Sequence, residues 1–135
     1  MVMSENAKPT AMIVDDTQSF RMLVTTMLTS IGFNVVAKAA NGDEALELYQ
    51  QTWPHFVLLD IHMPGGLDGV QTLQKLIAID PNAVVVMLTS MGSDLTYDDC
   101  INIGAKGYIK KDQEVPDLQH EIHVVSYNLL SGQQS

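Results

Sequence analysis

Five side chains of this sequence carry chemistry in a pattern that only a folded chain could assemble: Asp15, Asp16, Asp60, Thr89 and Lys111. Each stands at the end of a short strand-like segment, and the outermost two are 96 positions apart. Carboxylates brought to one place repel and raise one another's pKa values unless a cation sits between them. The only ligands on offer are oxygens, without a cysteine or a histidine pair, so the match is to a hard, partly hydrated cation such as Mg²⁺ rather than to zinc. A carboxylate beside a metal, a lysine and a hydroxyl suits phosphoryl transfer, which asks for alignment and for neutralisation of oxygens. Asp60 is the candidate attacking group, since a carboxylate can take a phosphoryl group as an acyl phosphate. Lys111 would meet one phosphoryl oxygen as a point charge and Thr89 would offer its hydroxyl to another.

The elements that must position these residues alternate in type. Ala11 to Val14 is apolar and halted by Asp15, and Thr17 to Ile31 carries Phe20, Leu23, Met27 and Ile31 at helical spacing. Gly32 supplies a stop before the strand-like segment Phe33 to Ala37, and Asn41-Gly42 opens a second helix with Ala45, Leu48 and Tyr49 on one face. Phe56 to Leu59, Ala83 to Leu88 and Gly107 to Lys110 read as further strands, with helices expected over Val70 to Ile79, Ser93 to Ile103 and Val115 to Leu130. Strand and helix in strict alternation imply an α/β fold: a parallel sheet buried on both faces by right-handed crossovers, in a three-layer sandwich. Ligands of such sheets bind beyond the carboxyl ends of the strands, where the five residues fall.

Composition narrows the function. A chain of 135 residues leaves little room for a second domain, and 46% hydrophobic residues are enough for a packed core. A formal charge of −9 disfavours nucleic-acid binding. The longest apolar run, Ala83 to Leu88, is far short of a membrane span, and a lone Cys100 with no secretory leader points to the cytoplasm. Residues 1–9 are expected as a flexible leader, 10–131 as the domain and 132–135 as a tail. An Asp-Asp pair after a strand is, alone, more often a helix cap than a metal site. Joined with Asp60, Thr89 and Lys111 at three other strand ends, the combination favours a phosphoacceptor site. Trp53 and Cys100 are expected to pack, and His55, His120 and His123 to lie on the surface.

From Thr10 to Leu130 the sequence resembles the receiver domains of two-component response regulators, the stand-alone chemotaxis type most closely. The resemblance rests on Ile13-Val14-Asp15-Asp16, on Leu58-Leu59-Asp60-Ile61-His62-Met63-Pro64, on Met87-Leu88-Thr89-Ser90 and on Gly104-Ala105-Lys106-Gly107-Tyr108-Ile109-Lys110-Lys111. It implies a flavodoxin-like (βα)5 fold with strand order 2-1-3-4-5. It also implies Asp60 as phosphoacceptor, Asp15, Asp16 and the backbone carbonyl of His62 as Mg²⁺ ligands together with Asp60, and Thr89 with Tyr108 as a switch pair. Lys111, four residues after Gly107, is the family lysine in preference to Lys110.

A histidine kinase is the implied phosphodonor, and a protein target meeting the fourth helix, fifth strand and fifth helix is the implied output. Asp94, Asp98 and Asp99 would make that face select a basic partner. With no room for an output domain, signalling through protein binding is expected, with no turnover beyond self-catalysed phosphorylation and dephosphorylation. A relay intermediate passing its phosphoryl group to a histidine phosphotransfer protein is the alternative. An aspartyl-phosphate phosphatase is disfavoured because His62 stands where a second aspartate is needed. The His62 side chain reads as a loop residue rather than a group orienting water, and Met91, a poor partner for water, implies slow self-dephosphorylation.

Two departures from the family pattern carry expectations of their own. The loop Pro64-Gly65-Gly66-Leu67-Asp68-Gly69 is one residue longer than the usual spacing. Asp112 replaces a proline that commonly follows a cis bond, so a trans bond and a displaced Lys111 are expected here.

Overall fold

A computed structural model of the chain describes residues 8–90 and 97–133. Five strands and five helices alternate: β1 (Thr10–Val14), α1 (Gln18–Ser30), β2 (Asn34–Ala39), α2 (Gly42–Thr52), β3 (Phe56–Asp60), α3 (Gly69–Ile79), β4 (Val85–Thr89), α4 (Tyr97–Ile103), β5 (Gly107–Lys110) and α5 (Val115–Gln133). All strand pairs are parallel, and the sheet order is β2-β1-β3-β4-β5, so the chain has the flavodoxin-like order.

Residues alternate across the strands with period two, and each face has its own core. Ala11, Ile13, Phe56, Leu58, Val86 and Leu88 pack under α1 and α5 against Val24, Leu28, Leu118 and Ile122. Met12, Val14, Val57, Leu59, Val85 and Met87 pack on the other side against Ala45, Tyr49, Leu73, Leu76 and Cys100 of α2, α3 and α4. Both faces of the central strands are therefore dry, which is why β3 and β4 read as unbroken apolar runs.

Element ends follow local chemistry. Asn41 caps α2 by accepting the Glu44 amide at 2.9 Å, and Asp68 caps α3 in a reciprocal box with Gln71. Gly104, at φ 135°, ends α4 in a conformation that a side chain resists, and an added Cβ would lie 2.9 Å from Ile77.

Several boundaries differ from the sequence expectation. β2 runs to Ala39 rather than Ala37, because a bulge between Ala11 and Met12 of the β1 register admits one extra β2 residue and brings Ala39 level with Val14. β4 begins at Val85, with Ala83 and Val84 buried ahead of it and Val84 O accepting the Val57 amide at 2.9 Å. The expected start of the fourth helix at Ser93, Asp94 and the Met91 position all lie outside the described residues. Trp53 does not pack as expected. It ends α2 in the left-handed conformation (φ 45°), touches Tyr49 edge-on and leaves 54% of its surface exposed. Cys100 is buried as expected, and His55, His120 and His123 are exposed. Among the described residues no helix is long and apolar enough to cross a membrane.

Candidate phosphoacceptor and metal site

Register alone brings the polar residues together. Val14 pairs with Leu59, so Asp15 and Asp60 each follow by one residue on adjacent strands. Asp60 pairs with Leu88 and Thr89 with Lys110, which sets Thr89 and Lys111 at the same edge. The bulge adds a further support, because the carbonyl of Ala39 accepts the Asp15 amide at 3.0 Å. The backbone of Lys111 is tied in the same way, donating to Thr89 O at 2.7 Å.

Carboxylate oxygens of Asp15, Asp16 and Asp60 lie within 4.8 Å of one another, with Asp15 and Asp60 buried and Asp16 exposed. Lys111 Nζ is 2.6 Å from Asp15 Oδ2 and 3.3 Å from Asp60 Oδ2, and it sits 4.5 Å from the centroid of the Phe20 ring. No cis peptide bond occurs among the described residues, so Lys111 reaches both acids along an all-trans backbone. The expected displacement of Lys111 does not take it out of the site.

Burial of Asp60 and the neighbouring charge of Asp15 push its pKa up to about 6, against the opposing pull of Lys111 and of the His62 amide. Burial alone would disfavour the Lys111 cation, yet its close contact with Asp15 and the charges of both acids raise its pKa. Lys111 is thus held charged in the pocket.

The start of α1 is built around Asp15. Its Oδ1 accepts the Thr17 amide at 2.8 Å, and Arg21 Nη1 donates to its carbonyl at 2.6 Å. Neither acid of the pair caps α1, whose N-cap is Thr17: one oxygen of Asp15 orders the turn that leads into the helix and the other faces the site. The Arg21 contact was not legible in the sequence, where an arginine one turn into a helix has no marked partner.

The loop after β3 leaves and returns at the same point. His62 N–H donates to Asp60 Oδ1 at 3.2 Å while its side chain is exposed, and Gly69 N–H closes the loop on Ile61 O at 2.9 Å. Within this loop Gly65 (φ 77°) and Gly66 (φ 89°) adopt a conformation suited to glycine. Leu67 rests on Gly42, whose added Cβ would lie 2.7 Å from it. Tyr108, partly buried, directs its hydroxyl to Thr89 Oγ1 at 3.5 Å and stacks edge-on with the exposed Tyr97. Asp98 and Asp99 are exposed on α4.

A buried carboxylate among acids and a lysine stands at the strand ends of a 2-1-3-4-5 sheet, the edge at which such sheets bind their ligands. The sequence matches the response regulator receiver domain family over residues 11–123. The chain belongs to that family. It is 36% identical over 115 residues to the chemotaxis protein CheY of Thermotoga maritima, covering 85% of this chain and 95% of the relative. Against CheY of Bacillus subtilis it is 40% identical over 100 residues, 74% of this chain and 82% of the other. Among solved structures, the CheX-CheY-BeF3-Mg²⁺ complex of Borrelia burgdorferi matches with a TM-score of 0.78 and 33% identity, over 87% of this chain and 88% of that one.

The donor set fits a divalent cation. All of its candidate ligands are oxygens, and Asp15 and Asp60 share the Lys111 ammonium while Asp16 adds a third carboxylate. Asp15 Oδ2 is buried and receives no hydrogen bond of suitable direction, the Lys111 ammonium meeting it only as an ion pair. Hard cations with oxygen ligands satisfy such groups.

Proposed function

We propose that the chain accepts a phosphoryl group from a histidine kinase on Asp60, with Mg²⁺ as cofactor, and signals by phosphorylation-dependent protein binding in a chemotaxis-type pathway. The gathering of the Asp15 and Asp16 carboxylates around the buried Asp60 carries this reading. The two CheY relatives support the choice of pathway.

Asp15, Asp16, Asp60 and the backbone carbonyl of His62 would hold the ion, which supplies charge neutralisation for the incoming phosphoryl oxygens. An Asp60 carboxylate oxygen attacks the phosphorus of a phosphohistidine. The new O–P bond forms as the P–N bond breaks, and the imidazole leaves with the electron pair and takes up a proton. Lys111 then meets one phosphoryl oxygen with its ammonium, and Thr89 donates its hydroxyl to another. Thr89 moving inward withdraws the partner that Tyr108 now reaches at 3.5 Å, so the tyrosine repositions at the α4, β5 and α5 face. Phosphorylation acts as far as it stabilises that second arrangement more than the first. The exposed Asp98 and Asp99 make a basic partner the better fit to the face. The chain turns over no separate substrate, and we place it in the cytoplasm with the kinase.

Incubation with Mg²⁺ and acetyl phosphate, followed by intact-mass measurement, tests the proposal. One phosphate-sized adduct is expected on the wild type and none on Asp60→Asn. Equal labelling of both proteins would refute it.

A further inference from the structure

Asp15, Asp60 and Phe20 meet the Lys111 head group, and one of them, Phe20, has no part in the acid chemistry. Its ring presents a face to Nζ at 4.5 Å from the centroid, on the α1 side of the pocket. A lysine side chain is flexible, and at position 112 an aspartate rather than a proline follows it. Its direction must therefore come from what surrounds the ammonium. Asp15 and Asp60 attract it from the sheet edge, at 2.6 and 3.3 Å. Both acids are also the ones that would turn to a divalent cation, so their hold on Lys111 weakens when the site is used. The ring remains.

The position of Phe20 is itself fixed by the site. Asp15 Oδ1 accepts the amide of Thr17, the N-cap of α1, and Phe20 follows within the first turn, partly buried against the core under α1 and α5. An aromatic face attracts a cation through its quadrupole, which an aliphatic side chain of similar size lacks.

Resting on the reading of Asp60 as phosphoacceptor, we propose that Phe20 is a positioning residue that holds the Lys111 ammonium over its ring, where it faces the phosphoryl group. The expected effect of removing the ring is a loss of rate, not of fold. A cation–π contact at a partly buried position corresponds to about a threefold to tenfold effect.

Rates of acyl-phosphate formation with acetyl phosphate and Mg²⁺ are to be compared for wild type, Phe20→Leu, Phe20→Met and Phe20→Tyr. Slowing by about threefold to tenfold in the two aliphatic variants, with Phe20→Tyr within about twofold of wild type, supports the proposal. A second readout needs neither metal nor phosphoryl donor. With Nζ 4.5 Å from the ring centroid, the proposal expects the ring current to reach the adjoining Lys111 ε-methylene protons, whose NMR resonance should stand upfield in wild type and Phe20→Tyr and return downfield in the aliphatic variants. Wild-type rates in both aliphatic variants, equal slowing in all three variants, or an unshifted Lys111 resonance in the wild type would each overturn it. Should Phe20→Leu fail to fold, Phe20→Met carries the comparison. Failure of the wild type to take any phosphoryl group would instead overturn the phosphoacceptor reading, and this proposal with it.

Discussion

Replacing Asp60 by Asn should make the metal-free protein more stable at neutral pH. Asp60 is 2% exposed, and burial and Asp15 raise its pKa from 3.8 to about 6. The unfolded chain therefore gives up this proton earlier than the folded one as pH rises. Below pH 3.8 both states are protonated and nothing is lost; between 3.8 and about 6 stability falls with pH; above that the full cost persists. At about 1.4 kcal/mol per pH unit, the gap amounts to about 3 kcal/mol at pH 7.5 and about half of that at pH 5. An asparagine has no charge to bury and avoids the cost, while Lys111 keeps its closer partner, Asp15, at 2.6 Å. For a chain of this length the gain corresponds to about 10 °C in Tm. Thermal unfolding followed by circular dichroism in EDTA, at both pH values, measures it. A variant less stable than the wild type at pH 7.5, or a gain that does not shrink on acidification, would refute the reasoning.

Three further outcomes are expected. Adding Mg²⁺ to the wild type should raise its Tm, since the ion binds the folded carboxylates and not the unfolded chain, and the rise should vanish in a protein carrying both Asp15→Asn and Asp60→Asn. Gly69→Ala should cost about 2 kcal/mol or more, because the new Cβ would press on the Asp60 carbonyl and lie 2.5 Å from Ile61 Cα, both of them backbone atoms, and urea titration would detect it. Tyr49→Phe should cost about 1.5 kcal/mol by the same measurement, since it removes the 2.8 Å hydrogen bond to Asp80, and burial together with that bond keeps the Tyr49 hydroxyl protonated well above the usual range.

The strand ends were legible because apolar runs stop abruptly at Asp15, Asp60 and Thr89, a change of polarity that marks where the sheet meets water. Parallel pairing then forces those ends to one edge, so the grouping of the acids needed no knowledge of distances. The extent of β2 was not legible, since a bulge depends on how β1 and β2 slide past one another and leaves no residue signature. Trp53 was misjudged because a large aromatic suggests a core, whereas the left-handed turn before Pro54 carries it outward. Phe20 was visible only as a member of a helical stripe. Its contact with Lys111 joins residues 91 positions apart on different layers, and periodicity holds no information about that.

The loop from Ile61 to Gly69 is a closed ring in space, pinched where the Gly69 amide meets the Ile61 carbonyl. Its circumference can change while its neck stays still, and lengthening such a ring is inexpensive, about 0.6 kcal/mol for a doubling. Related proteins could thus grow or trim the tip at Gly65 and Gly66 as freely as a fringe is cut, leaving the acid that stands at the neck where it was.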